Sequence, residues 1–167
     1  QAFISHDPTY GAVADRLVEK DRNGLKTGRG AYLYEAGSRV PIPDPEVLEI
    51  AKQEAARLGV TQRDDISDEE ILVRCLYTLI NEGACILEEG IAAKSSDIDV
   101  IYVYGYGFPV YRGGPMQYAD EVGLGEIVDK LSTYAERLGD YGKMWLQPSD
   151  LLIKLAQERS SFAKFKN

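Results

Sequence analysis

Residues 67–94, SDEEILVRCLYTLINEGACILEEGIAAK, decide the fold class. Ser67 followed by Glu70 is a capping box: the hydroxyl accepts the N–H three residues on, and the glutamate reaches back to the cap. Ile71, Leu72, Cys75, Leu76, Leu79, Ile80, Gly83, Ile86, Leu87 and Ile91 then recur at helical spacing. The spacing predicts one helix over about 68–92, roughly 37 Å long, with a broad apolar face and the central place in its domain. Lys94 complements the C-terminal end of the helix dipole, whereas Glu88 and Glu89 oppose it and call for solvent or partners. Cys75 and Cys85 fall about 15 Å apart along such a helix, beyond disulfide reach. Two buried thiols in a reducing compartment are expected.

Toward the C-terminus, Ser96 reads as the cap of a second helix, with Asp97 and Asp99 in its first turn. After the stretch YGYGFPVYRGGPMQYAD (104–120), helices are expected over 115–122 and 124–138, then a loop through Trp145, then a helix from Ser149 to Glu158. Toward the N-terminus, residues 9–22 have helical spacing and Asn23-Gly24 breaks them. AYLY then reads as a short extended segment near residues 30–35. Pro41 and Pro43 keep their predecessors out of the helical region, so residues 36–43 are expected as a linker. Asp44 and Pro45 then open a helix that runs to Gly59. Strand patterning is nearly absent, and the expected class is all-α.

The charge of the chain narrows its partners. A formal charge of −8 and a pI of about 4.7 disfavour nucleic acid and anionic membranes. No apolar run reaches the roughly 18 residues of a membrane span.

The glycines of 104–120 raise the question of phosphate binding. A dinucleotide fingerprint needs G-x-G-x-x-G after a strand. Here Val110 stands in the third glycine position, Pro109 interrupts the turn, and the preceding segment is helical. GLKTGRG likewise lacks the phosphate-loop spacing. Gly105 and Gly107 are expected to end a helix, and Pro115 to begin one. Lys26, Thr27 and Arg29 form the densest basic loop, and Arg112 sits among tyrosines; these four are the candidates for contact with a substrate's phosphates. Asn81 and Glu82, midway along the long helix, call for structural hydrogen bonds to the GYGFP loop or to Arg112, and Asp120 is a candidate partner for Arg112. Tyr102, Tyr104, Tyr106, Tyr111 and Tyr118 read as packing at a domain interface. The lone histidine, His6, reads as a surface imidazole.

The two ends of the chain resemble each other: ADRLVEKDRNGLKTG and LIKLAQERSSFAKFK both run from an amphipathic helix into a turn and a basic residue. Residues 1–35 therefore read as the tail of one helical unit and 44–167 as a complete copy. The start at Gln1 reads as a trimmed chain.

The joint spacing of NEG…LEEGIA, DID, GYGFP…GGPM and KTGRG resembles the C-terminal helical domain of the 3-hydroxyacyl-CoA dehydrogenase family, above all its multifunctional β-oxidation members. The resemblance implies an all-α fold like the C-terminal domain of 6-phosphogluconate dehydrogenase. It implies a parent enzyme that oxidises (S)-3-hydroxyacyl-CoA to 3-oxoacyl-CoA with NAD, beside an enoyl-CoA hydratase activity. NAD and the catalytic histidine would belong to a Rossmann domain outside these residues, so the chain by itself is expected to be inactive, with no catalytic, cofactor or metal residue of its own. It would pack on the preceding helical and Rossmann domains. The family's catalytic asparagine falls on Val73, which cannot hydrogen-bond a carbonyl. Gly105, Gly107, Pro109, Gly113, Gly114, Pro115 and Asp120, with Asn81 and Glu82, are then expected to serve structure or an interface. Two other readings stay open: a self-standing module that homodimerises, and the helical half of a dehydrogenase acting on a hydroxy acid without CoA. The C-terminus FAKFKN lacks the Ser-Lys-Leu peroxisomal ending, and a cytoplasmic location is expected.

Overall fold

The computed structural model describes residues 7–166; His6 lies outside the described residues. The chain divides into two compact units, Gln1–Asp65 and Ile66–Asn167.

In the first unit, α1 (Ala12–Glu19) leads into a 3-10 turn at Leu25–Thr27 and a two-stranded antiparallel ribbon. Its strands are β1 (Tyr32–Leu33) and β2 (Ile42–Pro43), with Tyr32 opposite Pro43 and Leu33 opposite Ile42. Helix α2 (Pro45–Arg57) starts as its sequence requires: Asp44 Oδ1 accepts the Glu46 N–H at 3.0 Å, and Pro45, which has no N–H to satisfy, takes the first turn. Charged groups tie α1 to α2. Arg22 is buried; it donates to the Gly30 carbonyl at 3.0 Å and to Glu46 at 2.9 Å, and it pairs with Asp44. Buried Glu54 accepts from Arg16 at 2.9 Å and from Arg57 at 2.8 Å. Residues 36–43, expected as a linker, are instead a loop and strand inside this unit. Ribbon pairing and the Arg22–Asp44 contact hold them to α1, so α2 groups with the residues before it.

The second unit is built on one continuous helix. It comprises α3 (Asp68–Leu72), a π-helical turn at Val73–Tyr77, and α4 (Thr78–Glu88). Ser67 accepts the Glu70 N–H at 3.2 Å, as the capping box predicts. The Thr78 hydroxyl donates to the Arg74 carbonyl at 2.7 Å within the π turn. The buried line along the helix runs through Glu70, Val73, Tyr77, Ile80, Ala84 and Leu87. Ile71, Leu72 and Cys75 lie off that line, so Cys75 is exposed and Cys85 only half-buried, against the expectation of two buried thiols. The helix stops at Glu88, before Gly90 at φ 71°, and leaves Ile91 exposed.

Helix α5 (Ser95–Gly105) is capped at Lys94, one residue before the first serine, rather than at Ser96. Then follow a 3-10 turn at Val110–Arg112, α6 (Pro115–Val122), α7 (Leu124–Arg137), α8 (Gly139–Trp145), α9 (Asp150–Gln157) and a last turn at Phe162–Lys164. Residues 139–145 were expected as loop. They form α8 because Gly142 has no side chain: a Cβ there would lie 2.3 Å from the Ala135 carbonyl oxygen of α7. Tyr77, Ile80, Leu87, Met116, Ile127, Leu131, Leu152 and Phe162 make up the centre of the core. Among the described residues, no helix is long and apolar enough to cross a membrane.

Candidate functional site

The corner between α5 and α6 gathers most of the sequence-predicted residues. Gly105 ends α5, and Gly107, at φ 74°, turns the chain so that the Phe108 N–H donates to the Tyr102 carbonyl at 2.9 Å. Pro109 leads into the 3-10 turn, Gly113 closes it at φ 76°, and Pro115 opens α6. Gly114 is required twice over. Its φ is 119°, and a Cβ there would lie 2.3 Å from Asp99 Oδ1.

That close approach explains the corner's chemistry. Asp99, on α5, accepts the Met116 N–H at 2.7 Å and the Gln117 N–H at 3.2 Å. The start of α6 is an anion site by virtue of its free N–H groups and dipole, and the chain fills it with its own buried carboxylate. Burial pushes the Asp99 carboxyl above its ordinary value; the two backbone bonds oppose that shift and the nearby Asp120 adds to it. Asp99 was legible in the sequence only as a first-turn acid of α5, because its partners lie on the next helix. The N–H groups of Met116 and Gln117 at the start of α6 are thus already taken, and Gly107, Gly113 and Gly114 serve the turn.

Two more polar residues do the same kind of work. Asp120 accepts the N–H groups of Phe162 at 2.7 Å and Ala163 at 3.0 Å, which fixes the last turn of the chain. Arg112, its expected partner, instead stacks on Tyr111 and Tyr118, 5.5 Å from each ring centre. Asn81 is buried; its Nδ2 donates to the Gln147 carbonyl and its Oδ1 accepts the Ser149 N–H, both at 2.8 Å. It therefore pins the start of α9 rather than the GYGFP loop. Glu82 is exposed, so the helix carries its carboxylate to solvent. Val73 packs in the core with no polar group to offer.

An apolar groove of about 290 Å³ runs beside this corner. Cys75, Leu76 and Leu79 line one side; Tyr102, Tyr106, Gly107 and Phe108 line the other. The rings of Tyr102 and Tyr106 lie 5.2 Å apart. Burial raises the Tyr102 hydroxyl pKa, and burial with the nearby Glu82 raises that of the Cys85 thiol. The lining is apolar apart from the Cys75 thiol and the tyrosine hydroxyls, so the groove can receive an apolar group. Among the described residues, no cluster of His, Cys, Asp and Glu could hold a metal ion.

In the first unit, the basic loop is knitted by Thr27. Its hydroxyl accepts the Asn23 N–H and donates to the Arg29 carbonyl, each at 2.9 Å. Lys26 is exposed; Arg29 is exposed and donates to the Lys20 carbonyl at 3.4 Å. A neighbouring pocket of about 440 Å³ is lined by Leu25, Gly28, Tyr34 and residues 35–39, so none of the three candidate residues lines it. The strongest polar group here, buried Arg22, carried no sequence signal beyond being one arginine in an acidic helix end.

Comparison with known proteins agrees with this arrangement. The family model described as "3-hydroxyacyl-CoA dehydrogenase, C-terminal domain" matches residues 71–164. A peroxisomal bifunctional enzyme from Danio rerio is 43% identical over 152 residues, covering 90% of this chain and 21% of that protein. The one from Homo sapiens is 44% identical over 150 residues, covering 89% and 20%. A fatty acid oxidation complex subunit alpha from Shewanella loihica is 34% identical over 151 residues, covering 90% and 20%. The chain thus spans about a fifth of the length of the curated relatives it matches. Through the helices and capped corners from Ile71 to Lys164, the chain belongs to the 3-hydroxyacyl-CoA dehydrogenase family as a bearer of its C-terminal domain.

Proposed function

We propose that the chain is the C-terminal part of an NAD-dependent 3-hydroxyacyl-CoA dehydrogenase of fatty-acid β-oxidation, which also carries enoyl-CoA hydratase activity. The parent oxidises the 3-hydroxyl of an (S)-3-hydroxyacyl-CoA to a ketone, and NAD, bound outside these residues, takes the hydride. Residues 1–35 close a preceding helical domain of the parent, and the unit from Ile66 onward belongs to a second helical domain that helps shape the acyl-CoA cleft. Lys26, Thr27, Arg29 and Arg112 are the residues nearest to a role at the substrate's phosphates, although the Thr27 hydroxyl already serves its own loop.

One observation carries this reading of the chain as support rather than catalyst. Three polar residues of its recognisable stretches, Asn81, Asp99 and Asp120, have their side chains occupied by backbone groups. Two free thiols fit the cytoplasmic setting expected from the sequence, and equally the peroxisomal one in the names of the animal relatives.

The test follows NADH consumption with acetoacetyl-CoA, for the longer protein and for the 167-residue chain. Turnover is expected from the longer protein alone. Turnover by the chain would overturn its assignment as non-catalytic, and no turnover by either would overturn the dehydrogenase reading.

A further inference from the structure

Helix α5 turns an apolar stripe outward. Val100 and Ile101 are each more than half exposed and Tyr104 is 83% exposed; in the turn beyond, Val110 is 71% and Tyr111 83% exposed. Scattered exposed hydrophobics are normal on a protein surface, but with Tyr106 there are six within residues 100–111, and these are not scattered. From residue 100 to 119 there is no Asp or Glu, in a chain that holds 27 of them. The one charge in that span, Arg112, stacks on two tyrosines and forms no ion pair among the described residues.

Depletion of charge together with tyrosines and an arginine is the composition of an interface core. At these exposures Tyr104, Tyr106 and Tyr111 alone offer about 500 Å². With the aliphatic side chains, the face approaches the ~800 Å² that one partner gives to a standard interface. A second copy is the wrong occupant, because it would bring a second Arg112 to the same face and a second net charge of −8 to the same complex. The complement of this face is apolar with a carboxylate set against Arg112. The curated relatives are about five times as long as this chain, and a partner on the same polypeptide binds at high effective concentration.

We propose that the face formed by Val100, Ile101, Tyr104, Val110, Tyr111 and Arg112 docks an apolar, carboxylate-bearing surface on the remainder of the longer polypeptide. This rests on the reading that the chain is the C-terminal part of such a protein, and it assigns the contact to specific residues.

Tyrosine nitration with tetranitromethane, mapped by peptide mass, tests it in the 167-residue chain and in the longer protein. Tyr104 and Tyr111 react in the chain and lose their reactivity in the longer protein. Buried Tyr77 and Tyr134 report folding by staying unmodified; if they react in the chain, the comparison moves wholly to the longer protein, wild type against Arg112→Glu. That substitution sets two carboxylates against each other and restores nitration of Tyr104 and Tyr111. Equal reactivity of these two tyrosines in the chain and the longer protein overturns the docking face. Protection that grows with the concentration of the chain alone overturns it in favour of a second copy. Protection unchanged by Arg112→Glu overturns the carboxylate. Protection without NADH turnover leaves the docking face standing while the dehydrogenase reading fails.

Discussion

The two units of the chain are held together by different physics. Among the described residues, the unit from Ile66 onward owns eighteen of the twenty buried hydrophobics, in one core cluster. Among its described residues, the unit before it buries two hydrophobics, Leu17 and Ile50, beside Asp7, Arg22 and Glu54, whereas the larger unit sets buried Glu70, Asn81 and Asp99 against its eighteen. A segment that short cannot bury enough apolar surface to stand on it alone, and here ion pairs between α1, the ribbon and α2 supply the remaining constraint. The contrast teaches that the first unit should answer to pH and charge substitutions, and the second to lost volume.

The largest effects should come from the residue each unit can least spare. Leu131 is fully buried at the centre of the second unit. Leu131→Ala should cost about 2–5 kcal/mol, read as a lower denaturant midpoint for the amides of α4, α7 and α9. In the first unit, Arg22→Ala strands Asp44 and the Gly30 carbonyl and should cost about 3 kcal/mol, read by faster amide exchange in α1 and α2. Arg22→Met, which fills the space without a charge, should recover part of that loss only if Asp44 can turn to water. An Arg22→Ala protein whose α1 and α2 exchange at the wild-type rate would break the comparison.

Acid should separate the units further. Arg22 and the Glu46 N–H hold the Asp44 carboxyl below its ordinary value. Arg57, then Arg16, do the same for Glu54, against the opposing effect of burial. A depressed folded pKa gives stability that is present above the ordinary carboxylate range and lost as pH falls through the folded value. Asp99 in the second unit has the opposite sign. Burial raises its pKa, so its contribution is full at low pH and lost as pH rises through the folded value. Amide exchange followed from about pH 5 down to about pH 2 should therefore show the first unit loosening while the capped start of α6 holds. Parallel loosening of both would sink this account.

The legible parts of the sequence were those written in local chemistry. Asp44 and Ser67 cap the helices they were expected to cap, α9 begins at Ser149 where a helix was expected, and Pro115 opens α6 as expected. What stayed hidden depends on partners far along the chain. Asp120 meets residues 162 and 163, and Asn81 meets 147 and 149, partners that no local pattern announces. Helix α8 escaped notice because two glycines argue for loop until α7 is there for Gly142 to lie against. The π turn at Val73–Tyr77 has no pattern of its own, and the one-face reading of the helix misplaced Cys75 for that reason.

Capping residues should rank below the core and the buried arginine. Asp120→Ala leaves the N–H groups of Phe162 and Ala163 without their acceptor and should cost about 1–2 kcal/mol. Its signature is fraying of the last turn, seen as faster exchange at those two amides, with α7 unaffected. Exchange at these amides that matches wild type would show that the final turn is held by Phe162 burial alone.

The smallest effect sharpens the comparison most. Thr78 donates to the Arg74 carbonyl at 2.7 Å inside the π turn, one more polar bond, beside those of Asn81, Asp99 and Asp120, in the unit whose core is apolar. Thr78→Val keeps the shape and removes the hydroxyl, so the expected cost is about 0.5–1.5 kcal/mol, below that of Arg22→Ala. If the hydroxyl also holds the π register, the change should surface at Cys75, which sits in the same turn and is exposed. Relaxation toward a regular α-helical turn rotates that residue relative to the groove and alters its rate of reaction with a thiol reagent. A cost larger than that of Arg22→Ala would mean that the second unit, too, depends on a polar bond, and the division between the units would no longer follow from their buried side chains.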